Sequence, residues 1–338
     1  SRLRVHQARH TGTDPTNAAP PASLGDRLLG DGHGDRDGLG VAPPRGGADL
    51  GAHGRHAMIE TPEGVRVLCH LRGKKSELVV GDRVRWQRAG DEGVVEQVEP
   101  RRNLLFRQDE WRTKSFAANL DLLVMMVAVE PPFSESQLTR ALIAAAAAGI
   151  PVIIGLNKVD LPAAATVRQR LAPYLSMGVE VLEMAVKADP DAALALLRPR
   201  LEGRTTLILG PSGAGKSTLI NRLVPAAGAQ VREISVALSS GKHTTTTTTW
   251  YWLDEARSGA VLDSPGFQEF GLRQVDAMQL AGLMPDLAAE LGHCRFHNCT
   301  HREEPQCGVR TAMDAGRISP SRWRIYGELF AELSQTRW

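Results

Sequence analysis

Short apolar runs alternate with helical stretches through the middle of the chain. Residues 151–156, 205–209 and 260–262 are apolar, rich in β-branched side chains and bounded by turn or charged residues, which is typical of buried strands. The alanine-rich stretch 139–150 predicts a helix that packs on the sheet formed by these strands. Strands that alternate with helices in this way predict an α/β domain with a parallel sheet.

The flanking regions differ from this middle part. Residues 53–107 contain short valine-rich runs separated by Gly and Asp turns, which predicts a small β-barrel. Residues 1–52 are rich in Gly, Pro, Asp and Arg and lack a periodic apolar pattern, so we expect a disordered tail. Residues 275–291 and 319–333 predict helices of a C-terminal module.

The strand at 205–209 leads into a glycine-rich loop and then into a helix start. The loop fits the pattern G-x-x-x-x-G-K-[ST], and its residues are Gly210, Pro211, Ser212, Gly213, Ala214, Gly215, Lys216, Ser217 and Thr218. Backbone N–H groups of such a loop surround phosphates. We expect Lys216 to reach the β and γ phosphates and Ser217 to bind Mg²⁺. The alternative is a glycine-rich turn that binds nothing, which the strand and helix on either side disfavour.

A second nucleotide motif follows the strand at 151–156. It consists of Asn157, Lys158, Val159 and Asp160. A carboxylate at the C-terminal edge of a strand can accept both the ring N–H and the exocyclic amine of guanine, so Asp160 would select GTP over ATP. We expect Asn157 to hold the neighbouring loops and Lys158 to cover the base. Taken alone, the tetrapeptide could also be a helix start capped by Asp160.

The base motif precedes the phosphate loop, whereas small GTPases have the opposite order. This order predicts a circularly permuted GTPase domain. A strand then ends in D-x-x-G, where Asp263 is expected to hold Mg²⁺ through water and the Gly266 N–H to contact the γ-phosphate. Since D-x-x-G runs directly into the C-terminal module, we expect a movement of this segment to act on that module.

A switch segment is expected between the phosphate loop and D-x-x-G. It contains Gly241, Lys242 and His243 followed by threonines at 244–249, one of which is expected to bind Mg²⁺. A threonine run on its own would predict an inert strand. Phe267 stands where many GTPases have the Gln that orients the attacking water, so we expect slow hydrolysis by the isolated protein. His243 is the internal candidate for a catalytic base; the alternative is a surface histidine without a role.

Three of the four cysteines lie close together near the C-terminus. They and the neighbouring histidines are Cys294, Cys299, Cys307, His293, His297 and His301. Three thiolates and one imidazole are typical of a structural zinc site, whereas disulfide pairing would leave an odd cysteine. The fourth cysteine, Cys69, lies in an apolar run and is expected to be buried in a strand.

Charge adds candidate RNA contacts but excludes little. The formal net charge is only +2, and no apolar stretch has the length of a membrane span. The barrel carries a set suited to an RNA backbone and one stacked base, namely Arg72, Lys74, Lys75, Arg83, Arg85 and Trp86. A solvated barrel face is the alternative. The C-terminal module offers a second candidate set, namely Arg295, Arg302, Arg310, Arg317, Arg322 and Arg324.

Together these motifs resemble the RsgA family, also called YjeQ or YloQ, whose members are circularly permuted GTPases that act on the bacterial small ribosomal subunit. The resemblance covers about residue 54 to the C-terminus and rests on residues 157–160, 210–218, 241–246, 263–267 and the cysteine cluster. It implies an OB-fold that docks on ribosomal RNA and His301 as the fourth zinc ligand. The short Ser-Ala-type loop of the family reads Met184-Ala185-Val186-Lys187 here, and guanine binding is expected to survive because that loop works mostly through backbone N–H groups.

We therefore predict a multidomain α/β protein: a tail (1–52), an OB-fold barrel (53–107), a circularly permuted P-loop GTPase domain (108–274) and a zinc-binding helical module (275–338). The expected function is a cytoplasmic, monomeric GTP hydrolase that needs Mg²⁺ and Zn²⁺. The small ribosomal subunit and its rRNA are expected to stimulate it during late maturation, and it would leave after hydrolysis with GDP. The alternative is a nucleotide-gated RNA-binding protein or RNA chaperone whose hydrolysis is incidental.

Overall fold

A closed five-stranded barrel forms the first part of the fold. The computed structural model describes residues 45–53, 56–71, 78–108, 113–225, 227, 248–264, 270–272 and 274–335. The barrel strands are β1 (Arg45–His53), β2 (His56–Glu60), β3 (Arg66–Leu71), β4 (Arg83–Ala89) and β5 (Glu92–Val98). They pair in the order β1-β2-β3-β5-β4 and close through β1 and β4, in agreement with the five-stranded barrel expected of an OB-fold.

Strand β1 lies partly in the stretch that the sequence assigned to a disordered tail, so that assignment was wrong for residues 45–52. The strand reads Arg-Gly-Gly-Ala-Asp-Leu-Gly-Ala-His and contains no β-branched residue, so no alternating apolar pattern marks it. Its pairing with β2 and β4 stabilises it through barrel closure instead. Residues 1–44 lie outside the described residues.

Trp86 lies inside the barrel and cannot stack on an RNA base as predicted. Side chains alternate along β4, so Arg83 and Arg85 are exposed while Trp86 is only 2% exposed. A Cβ on Gly93 would lie 2.8 Å from the Trp86 ring and 2.5 Å from the Cys69 sulfur, so this glycine makes room for both. Cys69 is fully buried in β3, as expected. Arg72, Lys74 and Lys75 lie outside the described residues.

A six-stranded sheet forms the centre of the molecule, in the order β10-β9-β8-β11-β13-β12. Its strands are β8 (Leu122–Ala128), β9 (Val152–Asn157), β10 (Glu180–Met184), β11 (Thr205–Leu209), β12 (Thr249–Trp252) and β13 (Ala260–Asp263). All neighbours are parallel except β12, which is antiparallel to β13. Every residue of β8 is buried, as expected of a parallel strand covered on both faces.

Helices connect these strands and cover the sheet. They are α1 (Glu135–Ala147), α2 (Ala164–Ser176), α3 (Pro190–Leu201) and α4 (Lys216–Leu223). Helix α1 confirms the predicted alanine-rich helix but begins four residues earlier, because the Ser134 side chain accepts a hydrogen bond from the Gln137 N–H and caps it. A hairpin of β6 (Leu104–Gln108) and β7 (Thr113–Ala118) joins the barrel to the sheet.

The strand order places a ligand site between β8 and β11. The chain runs outward from β8 through β9 to β10, then returns to β11 on the other side of β8 and continues to β13. The direction of winding therefore reverses between β8 and β11, and open α/β sheets bind ligands at the carboxyl ends of the strands at such a point.

The C-terminal module consists of short helices followed by one long helix. Its elements are the 3₁₀ helices Ala277–Leu283 and Leu291–His293, together with α5 (Pro285–Ala288), α6 (Gly308–Asp314) and α7 (Pro320–Ser334). Helix α7 confirms the prediction for 319–333. The predicted helix 275–291 was wrong in its continuity, since Pro285 has no N–H to donate and starts a new helix instead.

Arg322, in the first turn of α7, has a buried side chain, so its assignment to an RNA-binding surface was wrong. The side chain is 2% exposed. Its Nε and Nη2 each donate to Asp286 at 2.8 Å, and its Nη1 donates to Thr139 Oγ1 at 2.7 Å. This arginine therefore ties α7 to α5 and α1.

None of the helices in the described part of the chain has the length and apolar character of a membrane span.

Glu60 joins the barrel to the sheet. This carboxylate is 4% exposed at the end of β2. It accepts hydrogen bonds from Trp252 Nε1 at 2.6 Å and Arg66 Nε at 3.1 Å, and Arg257 lies 3.6 Å away. Since Trp252 ends β12 and Arg257 follows in the β12–β13 turn, one buried acid holds the barrel against the edge of the sheet.

We expect Glu60→Gln to lower the free energy of unfolding by about 1–3 kcal/mol, because a buried charge pair loses one partner. Urea denaturation measures this value. Glu255→Gln is the matched control, because Glu255 is exposed in the same β12–β13 turn, and its effect should stay within about 0.5 kcal/mol. Equal losses in the two variants would contradict the assigned role of Glu60.

Candidate functional site

A cavity of about 860 Å³ opens at the carboxyl edge of the central sheet. Both sequence motifs line it. The lining residues are Asn157, Lys158, Asp160, Leu161, Ala185, Lys187, Ser212, Gly213, Gly215, Lys216, Ser217, Thr218, Asp263 and Ser264. Residues that lie far apart in the sequence thus meet at the carboxyl ends of the strands, where the direction of winding reverses between β8 and β11.

The phosphate loop forms a tight turn between β11 and α4. Gly210 has a φ of 153°, and a Cβ there would lie 2.2 Å from the Met126 carbonyl oxygen of β8. Gly215 has a φ of 99° and directly precedes α4. A Cβ on Gly215 would lie 2.2 Å from the Asn157 amide nitrogen, so glycine allows the loop to approach the base motif closely.

Asn157 connects three loops around the cavity. Its side chain is buried at the end of β9. Its Nδ2 donates to the Ala214 carbonyl at 2.9 Å, and its Oδ1 accepts from the Val186 N–H at 3.0 Å. The first bond reaches the phosphate loop and the second reaches the loop after β10. The amide thus fixes the distance between the two halves of the cavity, which is the loop-holding position expected for this residue.

The remaining base-motif residues lie at the rim of the cavity. Lys158 has a φ of 64°, and its Nζ donates to the Glu130 carbonyl at 2.6 Å. The Val159 N–H donates to the Met184 carbonyl at 3.2 Å, which ties the motif to β10. Asp160 is exposed at the cavity edge, where its carboxylate is free to meet a ligand.

Lys216 and Asp263 supply opposite charges at the inner end of the cavity. The Lys216 Nζ donates to the Gly210 carbonyl at 2.6 Å and the Pro211 carbonyl at 3.2 Å. Burial lowers the pKa of Lys216, and the Asp263 charge opposes this. Burial likewise raises the pKa of Asp263, and the Lys216 charge opposes it. Each charge therefore stabilises the other, so the site presents an ammonium for phosphate and a carboxylate for a cation.

Oxygen ligands suited to Mg²⁺ line this end of the cavity. Ser217 lies in the first turn of α4 and Asp263 ends β13, and both line the cavity. Thr249 lies opposite Asp263 in the β12–β13 pairing, and Thr248 is buried beside it. The other switch residues, including His243, and the residues Gly266 and Phe267 lie outside the described residues.

A second cluster, in the C-terminal module, has the composition of a metal site. The Cys294, Cys299, His301 and Cys307 ligand atoms all lie within 4.8 Å of one another. The Cys294 and Cys307 sulfurs are 3.9 Å apart, and each lies 3.5 Å from His301 Nδ1. Tetrahedral zinc with bonds of about 2.3 Å to sulfur and 2.0 Å to nitrogen requires edges of about 3.8 and 3.5 Å. These residues therefore fit a zinc ion.

The competing histidines lie apart from this cluster. His293 is exposed, and its Nδ1 lies 3.1 Å from Glu290 Oε2. His297 is also exposed and does not belong to the four-residue group. Burial lowers the pKa of His301, which keeps its imidazole neutral and able to bind a metal.

Glu304 orders the ligand loop, a role that the sequence analysis missed. Its carboxylate accepts from the Thr300 N–H at 2.8 Å, the Thr300 hydroxyl at 2.6 Å and the Arg302 N–H at 3.1 Å. Burial alone would raise the pKa of Glu304, but these hydrogen bonds lower it to about 2. Tyr326 of α7 donates to the Thr300 carbonyl at 2.7 Å from the other side. The signal for this role in the sequence was an acidic residue three positions after His301.

Comparison with known proteins agrees with this arrangement. The model of the RsgA GTPase family matches residues 98–273. A relative from Variovorax paradoxus, the small ribosomal subunit biogenesis GTPase RsgA, is 60% identical over 86% of this chain and 93% of its own length. The crystal structure of YjeQ from Thermotoga maritima matches with a TM-score of 0.67 at 28% identity, covering 87% of this chain and all of that one. YloQ, described as a circularly permuted GTPase, matches with a TM-score of 0.65 at 24% identity, covering 89% and 99%.

We expect elemental analysis to find one zinc ion per chain, which Cys299→Ser loses because three ligands hold zinc more weakly than four. The melting temperature should fall with the metal. Cys69→Ser is the matched control, since Cys69 is a buried cysteine in the barrel, and it should retain the zinc. Full zinc occupancy in Cys299→Ser would remove this residue from the ligand set.

Proposed function

Because this chain belongs to the RsgA GTPase family, we propose that it is the GTP hydrolase of small ribosomal subunit maturation in its cell. It would bind the subunit with GTP and leave with GDP. The bridge that Asn157 forms between the base motif and the phosphate loop is the observation that carries this proposal, because it joins both halves of a nucleotide site in one cavity. We further propose that the protein acts as a monomer in the cytoplasm.

Guanine selection falls to Asp160. Its exposed carboxylate lies on the rim formed by the base motif and can accept the two N–H donors of guanine. Lys158 and the loop at 184–187 form the adjoining walls, and the Val186 N–H is already used by Asn157. Other backbone groups of the loop at 184–187 would then contact the base. Guanine binding therefore does not need a Ser-Ala sequence in this loop.

Phosphate binding falls to the loop and to Lys216. A phosphate chain in the cavity offers Lys216 stronger acceptors than the Gly210 and Pro211 carbonyls that it contacts here. Ser217 and Asp263 would hold Mg²⁺, which neutralises charge on the β and γ phosphates. The N-terminus of α4 faces the same region and adds its partial positive charge.

Hydrolysis also requires a group that activates the attacking water. Phe267 cannot hydrogen-bond a water, so we propose that His243 accepts its proton once the ribosomal subunit orders the switch. Binding of rRNA through the exposed Arg83 and Arg85 of the barrel would provide that ordering. A nucleotide-gated RNA-binding protein with incidental hydrolysis is the competing function, and stimulation of turnover by small subunits distinguishes the two.

Asp160→Asn should weaken GTP binding by about 2–4 kcal/mol and favour xanthine nucleotides, because the amide presents a donor where xanthine has an acceptor. Equilibrium titration with GTP and XTP measures this. Asp189→Asn is the matched control, because Asp189 caps α3 at its N-terminus and is expected to leave the GTP-to-XTP preference unchanged. Unaltered GTP affinity in Asp160→Asn would remove Asp160 from the site.

His243→Ala should retain GTP binding and subunit binding but lose most of the subunit-stimulated rate, by roughly 10²-fold or more. Lys216→Ala should instead weaken nucleotide binding itself, because it removes the ammonium that faces the phosphates. Turnover measured with and without purified small subunits separates these effects. Normal stimulated turnover by His243→Ala would mean that RNA or a ribosomal protein orients the water.

A further inference from the structure

Arg140 connects three parts of the molecule through one guanidinium group. The residue lies in the middle of α1 and is 6% exposed. Its Nη1 donates to the Phe270 carbonyl at 3.3 Å and to Glu332 Oε1 at 3.2 Å, and its Nη2 donates to Glu332 Oε2. Phe270 follows the D-x-x-G motif, and Glu332 belongs to α7. A single buried charge therefore links the sheet domain, the end of that motif segment and the C-terminal helix.

Phe270 marks a fixed point seven residues after Asp263. Its ring is 1% exposed and lies 6.1 Å from the Phe116 ring of β7. The Gly271 N–H donates to the Phe106 carbonyl of β6 at 3.0 Å. Asp263 is fixed at the other end by the pairing of β13 with β11. Arg140 thus contacts an anchored residue, Phe270, that follows the D-x-x-G motif in the sequence.

Helix α7 connects this contact to the metal-ligand loop. Tyr326 of α7 donates to the Thr300 carbonyl, which lies between Cys299 and His301 in the sequence. Glu332 stands six residues further along the same helix and accepts from Arg140. A displacement of the ligand loop would therefore reach the Phe270 carbonyl through one rigid helix and one guanidinium.

Resting on the function proposed above, we propose that Arg140 is a positioning residue for GTP hydrolysis. It holds the Phe270 carbonyl against Glu332 of α7, so docking of the C-terminal module on the small subunit acts on the residue that follows the D-x-x-G motif in the sequence. Arginine suits this role because its planar fork serves a carboxylate with two N–H groups and still reaches a carbonyl. Lysine carries its three N–H donors on one nitrogen and lacks the planar fork that meets both carboxylate oxygens.

Arg322 provides a matched control. It is a buried residue of α7 and also contacts α1, through the Thr139 hydroxyl. Its remaining bonds go to Asp286 of α5. If Arg140 acted only by packing α7 onto α1, loss of either arginine would have the same consequences for catalysis.

We expect Arg140→Met to lower the subunit-stimulated kcat by roughly tenfold while GTP affinity stays within about twofold, because Phe270 loses its tie to α7 but the phosphate loop keeps its contacts. Arg322→Met should lower the melting temperature at least as much but leave the stimulated kcat within about twofold. Glu332→Gln keeps the shape of the side chain and should give an intermediate loss of kcat. Stopped-flow turnover, nucleotide titration and zinc content are measured on the full chain.

The outcomes separate the two proposals. A normal stimulated kcat in a folded, zinc-bearing Arg140→Met would overturn the role of Arg140, and so would equal losses of kcat in Arg140→Met and Arg322→Met. If Arg140→Met does not fold, Glu332→Gln decides, and an unchanged kcat in that variant counts against the inference. If small subunits fail to stimulate the wild-type chain, the proposed function fails, and the same comparison is then made on the basal kcat.

Discussion

The side-chain amide of Asn157 is the interaction on which the nucleotide cavity depends. It occupies one donor and its acceptor in bonds to the phosphate loop and to the loop after β10. Because the amide is buried, loss of either bond would leave a polar group without a partner at a cost of about 1–3 kcal/mol. The geometry of the cavity is therefore enforced by the same free-energy penalty that keeps buried polar groups paired. Gly215 is the structural counterpart, since any side chain there would overlap this amide.

The order of the strands in the sheet explains why such a bridge is needed. The base motif begins at the last residue of β9 and the phosphate loop follows β11, with β10 and two helices between them in the sequence. In the sheet, β8 separates the two strands that carry the motifs. Permutation leaves the parallel pairing of these strands intact while moving the chain ends elsewhere, so the cavity still forms at the reversal between β8 and β11. The site thus depends on strand order in space and not on order along the chain.

Much of this arrangement could be predicted because the motifs sit next to strongly apolar strands. The strands at 151–156 and 205–209 and the cysteine spacing had local signals, and the structure places them as expected. Strand β1 had none, because its stability comes from barrel closure. The RNA contacts predicted for Trp86 and Arg322 were wrong for a related reason. Residue type suggested RNA contact, but strand alternation turns Trp86 inward, and Asp286, a residue distant in sequence, buries Arg322. The His243 prediction lies outside the described residues.

The C-terminal module is packed into the core of the GTPase domain, which changes how a switch movement could act on it. Leu280, Leu287 and Leu329 of the module belong to one apolar cluster with residues of α1 and β8, including Leu138 and Leu123. A tightly packed interior transmits small displacements, because its side chains have few alternative positions. The sequence suggested that the D-x-x-G segment would pull on a separate RNA-binding domain. The packing instead favours a shift of side chains inside a shared core, and Arg140 is the buried charged group in it that contacts the residue following D-x-x-G.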